Sequence, residues 1–138
     1  MISQLSNLNW IGVAAAFIAY FMLGALWFTL FFKKQYAKSL GKENEPPQKP
    51  TLIFILGPAV CTLVITLASA VLIDALNISS MSGAVEFALI VGIGFLVANT
   101  TNIAINPNMP RPIHYATISG GYHLTGILIV SLILVAMK

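Results

Sequence analysis

Four apolar runs, Trp10–Phe32, Leu52–Ile73, Ala84–Ile105 and Ala116–Met137, fill most of the chain. Each is roughly twenty residues long, enough for a helix rising about 1.5 Å per residue to cross a hydrocarbon layer of about 30 Å. In lipid the backbone must satisfy its own hydrogen bonds, so runs of this length fold as spanning helices. The expected fold class is all-α: an integral-membrane four-helix bundle, with residues 1–138 forming a single membrane domain.

Charge sets the expected orientation. Lys33, Lys34, Lys38, Lys42 and Lys49 follow the first run and Arg111 follows the third, leaving only Lys138 among the seven Lys and Arg on the other side. Positive loops stay in the cytoplasm. Loops 33–51 and 106–115 are therefore expected inside and both termini outside (N-out/C-out). The segment MISQLSNLNW lacks a positive n-region, and the apolar run after it exceeds the roughly 7–15 residues of a signal-peptide h-region, so the first span is expected to be retained.

Only 8% of residues are charged against 58% hydrophobic. Such a chain cannot hide its apolar surface in a soluble fold, and its expected partner is the lipid bilayer. The basic residues lie in loops beside lipid, so headgroup attraction and topology account for them and nucleic acid is not expected. The single cysteine, Cys61, excludes an intrachain disulfide.

Polar residues within the runs are the candidate functional groups, because they are costly there. In the first run Gly12, Ala16, Tyr20, Gly24 and Trp27 form one helical stripe suited to close packing. The second contains Gly57-Pro58, where the missing backbone donor predicts a kink. The third ends in Asn99, Thr100, Thr101 and Asn102, which point in every direction around a helix, so some must face the bundle or water. The fourth holds Ser119 and His123.

Measured from the Lys-rich side by helical rise, Asn99 lies about 9 Å in, Trp27 about 8 Å, Ser119 about 6 Å, and Cys61 and His123 about 13–15 Å, with Tyr20 deeper. The predicted site is a polar pocket in that half, formed by His123, Asn99, Asn102, Ser119, Tyr20 and Trp27, with His123 facing Asn99 or Ser119. On the opposite side Asp74 and Glu86 are the only acidic groups and form a candidate cation-attracting mouth. Glu86 is expected in the first turn of its helix, where the macrodipole favours a carboxylate. The two hairpins also echo each other, Gly57-Pro58 opening the second run as Gly120-Gly121 opens the fourth, so a parallel repeat is expected.

These residues include the short motifs by which the chain resembles the bacterial family catalogued as domain of unknown function 1761. The resemblance rests on Asn9-Trp10, on Gly24-Ala25-Leu26-Trp27-Phe28 followed by a basic stretch, on a Gly-containing third span, on Arg111, and on Gly121-Tyr122-His123-Leu124. The family often has Trp-Tyr where this chain has Trp27-Phe28, and tends to place a proline where it has Thr29-Leu30. The resemblance implies a four-helix bacterial membrane protein, expected in the inner (cytoplasmic) membrane, and transfers no catalytic residues.

Two functions fit these features. One is permeation or transport of a small solute or ion by a homo-oligomer through the polar half; the other is an accessory or assembly subunit of a larger membrane complex. An enzyme is not expected, since HExxH, CxxC, a P-loop and an acid pair are all missing. No metal and no cofactor is expected. A Cys61–His123 thiolate pair would rest on the matching depth of those two residues alone, and haem ligation would need His123 from two protomers.

Overall fold

The computed structural model describes residues 5–46 and 51–138; Pro47, Lys49 and Pro50 of the proline-rich loop lie outside the described residues. Helix α1 (Trp10–Leu26) continues into a π-helical turn at Trp27–Phe31, and α2 (Lys33–Ser39) follows. Next come α3 (Ile53–Ala75) and α4 (Met81–Val91), which runs through a second π-helical turn, Gly92–Val97, into α5 (Ala98–Ala104). The last helix is α6 (Pro112–Ala136), and the described residues contain no strand. Four helical stretches, Trp10–Phe31, Ile53–Ala75, Met81–Ala104 and Pro112–Ala136, are long and apolar enough to cross a membrane.

Local chemistry sets the helix ends. Asn9 caps α1 by accepting from the amides of Ile11 and Gly12 at 3.1 and 3.2 Å. Its own amide donates to the carbonyl of Met137 at 2.6 Å, tying the start of α1 to the end of α6. Ser80 caps α4 through the Gly83 amide at 3.1 Å, so this helix begins three residues before the apolar run. Pro112 opens α6 at a position where the missing amide costs nothing. Helix α6 thereby takes in His114, which the sequence alone leaves in a loop. Helix α3 remains continuous through Pro58.

The bundle is built around α6, which packs against each of the other helices. Over half of its most apolar stretch (56%) is buried, against 22% in each of the other spans. Close approach rests on glycines. A Cβ on Gly126 would run into the ring of Tyr20, and one on Gly92 would stand 2.7 Å from Leu124 Cδ1. In lipid such contacts gain dispersion energy rather than hydrophobic transfer energy, so glycine at a crossing contributes by letting the helices close up. The stripe of α1 is used in this way: Gly12, Ala16 and Tyr20 are buried, with Gly12 against Met137 and Tyr20 over Gly126.

On the Lys-rich side the two loops clasp. Arg111 donates to a carboxylate oxygen of Glu43 at 2.9 Å and to the carbonyl of Lys38. Pro110 covers Gly41, whose φ of +70° is a conformation that glycine adopts freely. The hydrogen bond from Arg111 holds the Glu43 carboxyl below the ordinary carboxylate range.

Candidate functional site

A cavity of about 820 Å³ opens within the Lys-rich half of the bundle. Its lining reaches no deeper than Phe21 on α1, Ile65 on α3, Asn99 on α5 and His123 on α6. Beyond that level Val13, Ala16, Ala70, Ile73, Ala88, Ile127 and Val130 pack into a continuous apolar core. In a single chain the cavity is therefore one-sided.

Helix α3 helps to open it. Before Pro58, residues Ile53 to Leu56 are each at least half exposed, and burial begins only at Thr62. Among the described residues α3 packs on α1 and α6, and no extensive packing joins it to α5. Phe21 and Phe28 from the first span and Phe54 from α3 line the walls, with Tyr36 and Tyr115 at the Lys-rich end. Those two tyrosine rings lie 5.9 Å apart, and burial beside Tyr115 pushes the Tyr36 phenol up to about 12.

One face of α6 supplies three of the polar groups. Tyr115, Ser119 and His123 recur every four residues, which stacks them along one side of a helix, and all three line the cavity. His123 Nδ1 lies 2.9 Å from the Tyr20 hydroxyl. Its other ring nitrogen, Nε2, has no protein partner among the described residues. Ser119 is 4% exposed, and its hydroxyl has no hydrogen-bond partner among the described residues. Asn99 and Thr100 border the cavity from α5, and Cys61 and Thr62 from α3. Among the described residues no Asp, Glu, Lys or Arg lines it, and no group of three or more His, Cys, Asp and Glu is placed to hold a metal ion.

Of the six residues predicted to share the pocket, His123, Asn99 and Ser119 line this cavity. Tyr20 lies beneath it as the partner of His123, in the place expected for Asn99 or Ser119. Trp27 is not in the lining. Its indole donates to the Ile118 carbonyl at 3.1 Å and its ring packs on Phe32 at 4.6 Å, so it holds the π-helical turn against α6. Asn102 is exposed and outside the lining. Tyr115, Tyr122, Cys61 and Thr62 were not predicted to line it, although the four-residue spacing Tyr115–Ser119–His123 is visible in the chain.

On the opposite side Asp74 lies 3.7 Å from Lys138, whose ammonium also donates to the carbonyls of Ile73 and Ile78. The cavity beside Asp74, about 80 Å³, is not lined by Glu86. Because α4 starts at Met81, Glu86 stands exposed beyond the first turn, which corrects its expected place at the helix dipole.

The motif residues converge on this region. A Cβ on Gly24 would sit 2.9 Å from the Tyr122 hydroxyl, and one on Gly121 would sit 3.5 Å from the Trp27 ring. The segments Gly24–Phe28 and Gly121–Leu124 thus form a single contact beside the cavity. The family profile described as protein of unknown function (DUF1761) matches residues 11–135. The chain belongs to this family. The match reaches into all four spans of the DUF1761 bundle and takes in all residues that line its cavity. No curated protein and no solved structure matches the chain.

Proposed function

We propose that this DUF1761 protein is a non-enzymatic, multi-pass protein of the bacterial cytoplasmic membrane that binds a small solute in the one-sided cavity and passes it across the bilayer. The observation that carries this reading is the cavity of about 820 Å³, within the range of about 300–1,000 Å³ typical of small-molecule sites. Its position in the Lys-rich half supports loading from the cytoplasm, with both termini outside.

The packed core beneath His123 must open, or a second copy must complete the path, and a homo-oligomer is the arrangement proposed. Gly12 and Gly92 pack inside the bundle, against Met137 and against Leu124 and Ile127, so the surface for that assembly lies elsewhere. The hairpins each open on a span broken by a π-helical turn, Trp27–Phe31 in one and Gly92–Val97 in the other, which supports the parallel two-hairpin repeat. Such turns often occur where a helix serves a function.

The test is flux into proteoliposomes for a panel of potassium, chloride, glycerol, urea and indole, with Cys61→Trp as a variant that fills the cavity. Protein-dependent flux of at least one solute, lost in Cys61→Trp, is expected. Protein-independent flux for the whole panel overturns the transport reading in favour of an accessory subunit.

A further inference from the structure

We infer that the cavity takes an electrically neutral, largely aromatic molecule carrying one hydrogen-bonding group, which Ser119 Oγ and His123 Nε2 bind. The inference rests on the proposed binding role of the cavity and adds the ligand's chemistry.

Ser119 is buried, its hydroxyl has no partner among the described residues, and it lines the cavity. A buried hydroxyl without a hydrogen bond costs about 1–3 kcal/mol, a debt that a bound polar atom removes. Four residues on, His123 lines the same cavity with Nδ1 engaged by Tyr20, so Nε2 is its free nitrogen. If the Tyr20 hydroxyl donates to Nδ1, Nε2 carries the proton and donates; in the other tautomer Nε2 accepts. The serine hydroxyl rotates to suit either case. The two groups therefore form a pair that can bind one ligand hydroxyl, amide or carbonyl.

The remaining surface selects the rest of the molecule. Phe21, Phe28 and Phe54 offer flat apolar walls that pack well on a ring. A charged ligand would leave water without any Asp, Glu, Lys or Arg among the described lining residues to compensate it, and such transfer is prohibitive.

The test is calorimetric titration of the protein in lipid nanodiscs, with empty nanodiscs as blank. The probes are 2-naphthol, naphthalene, which lacks the hydroxyl, and naphthalene-2-sulfonate, which is an anion. Saturable binding of 2-naphthol is expected, with naphthalene about three- to tenfold weaker and the sulfonate undetected. Ser119→Ala should weaken 2-naphthol by the same factor and leave naphthalene unchanged, while Ser119→Thr should keep wild-type affinity. If Ser119→Ala does not fold, the wild-type comparison of 2-naphthol with naphthalene tests the same hydrogen bond. Equal binding of the sulfonate, equal binding of naphthalene, or no saturable 2-naphthol binding overturns the inference. Binding of 2-naphthol without flux of any solute would sink transport and leave the ligand class standing.

Discussion

The hydroxyl of Tyr20 lies 2.9 Å from Nδ1 of His123, joining α1 to α6 at the level where the cavity ends and the packed core begins. Tyr20 is fully buried, and its ring lies over Gly126 and 5.3 Å from the ring of Tyr122. The tyrosine therefore supports the imidazole from the closed side. Tyr20→Phe keeps the ring and removes the hydrogen bond, leaving Nδ1 without a partner, at a cost of about 1–3 kcal/mol. Thermal unfolding in detergent should show the loss, and Tyr20→Phe combined with His123→Phe should cost less than the two single changes added together. Strict additivity would show that the pair is not coupled. His123→Gln and His123→Asn can keep a hydrogen bond and should retain the fold while reducing flux.

Glycine positions separate inner from outer faces. Gly126→Ala would drive a methyl into the Tyr20 ring, which is enclosed, so a cost of about 1–3 kcal/mol is expected. Gly94→Ala meets nothing within 4 Å and should change stability by less than about 0.5 kcal/mol. Equal melting temperatures for the two variants would contradict the packing of α1 on α6.

The four spans were legible from length and hydropathy alone, because lipid demands both of every span. Helical rise converts position into depth, which is why the sequence can assign the polar groups to the Lys-rich end, where the cavity opens. Rotation did not follow. Nothing in the run Asn99–Asn102 reveals that Asn99 and Thr100 border the cavity while Asn102 faces outward, because lipid and packed helix accept the same apolar neighbours. Trp27 lies outside the lining for a related reason: its indole is taken up by the Ile118 carbonyl and the Phe32 ring, partners that helical rise alone does not reveal. The central place of α6 was likewise hidden, because its lipid-accessible and buried positions are equally apolar.

The clasp between the loops should respond to acid. The Glu43 carboxyl is lowered in the folded protein by its bond from Arg111, so the clasp is complete above the ordinary carboxylate value and is lost as pH falls through the depressed one. Nitroxide labels on Asn44→Cys and Asn108→Cys, in a Cys61→Ala background, report the loop separation by electron–electron resonance. A narrow distance distribution is expected at neutral pH, broadening in strong acid. Arg111→Ala should broaden it already at neutral pH, and an unchanged width would show that the pair does not hold the loops.

Orientation has its own measurement. With Cys61→Ala as background, Ser6→Cys lies on the side expected outside and Asn44→Cys on the side expected inside. Both positions are exposed. In intact cells an impermeant maleimide should label Ser6→Cys and spare Asn44→Cys until the membrane is opened. Labelling of Asn44→Cys from outside would reverse the arrangement and turn the cavity toward the exterior.

Two buried serines on α6 should respond in opposite ways to the same substitution. Ser131 is fully buried and donates to the Ile127 carbonyl at 2.7 Å, so Ser131→Ala removes a satisfied hydrogen bond and should cost about 0.5–1.5 kcal/mol. Ser119 is almost as deeply buried, but its hydroxyl has no partner. In the empty protein Ser119→Ala therefore removes an unsatisfied group and should leave the melting temperature unchanged or raise it. Saturation with 2-naphthol should reverse that order, because the ligand then satisfies the wild-type hydroxyl and binding to the native state adds stability in proportion to affinity. Wild type should gain more than Ser119→Ala at the same concentration. A destabilised Ser119→Ala in the empty protein would mean that this hydroxyl already serves the fold, and the cavity would lose the group that marks it as a binding site.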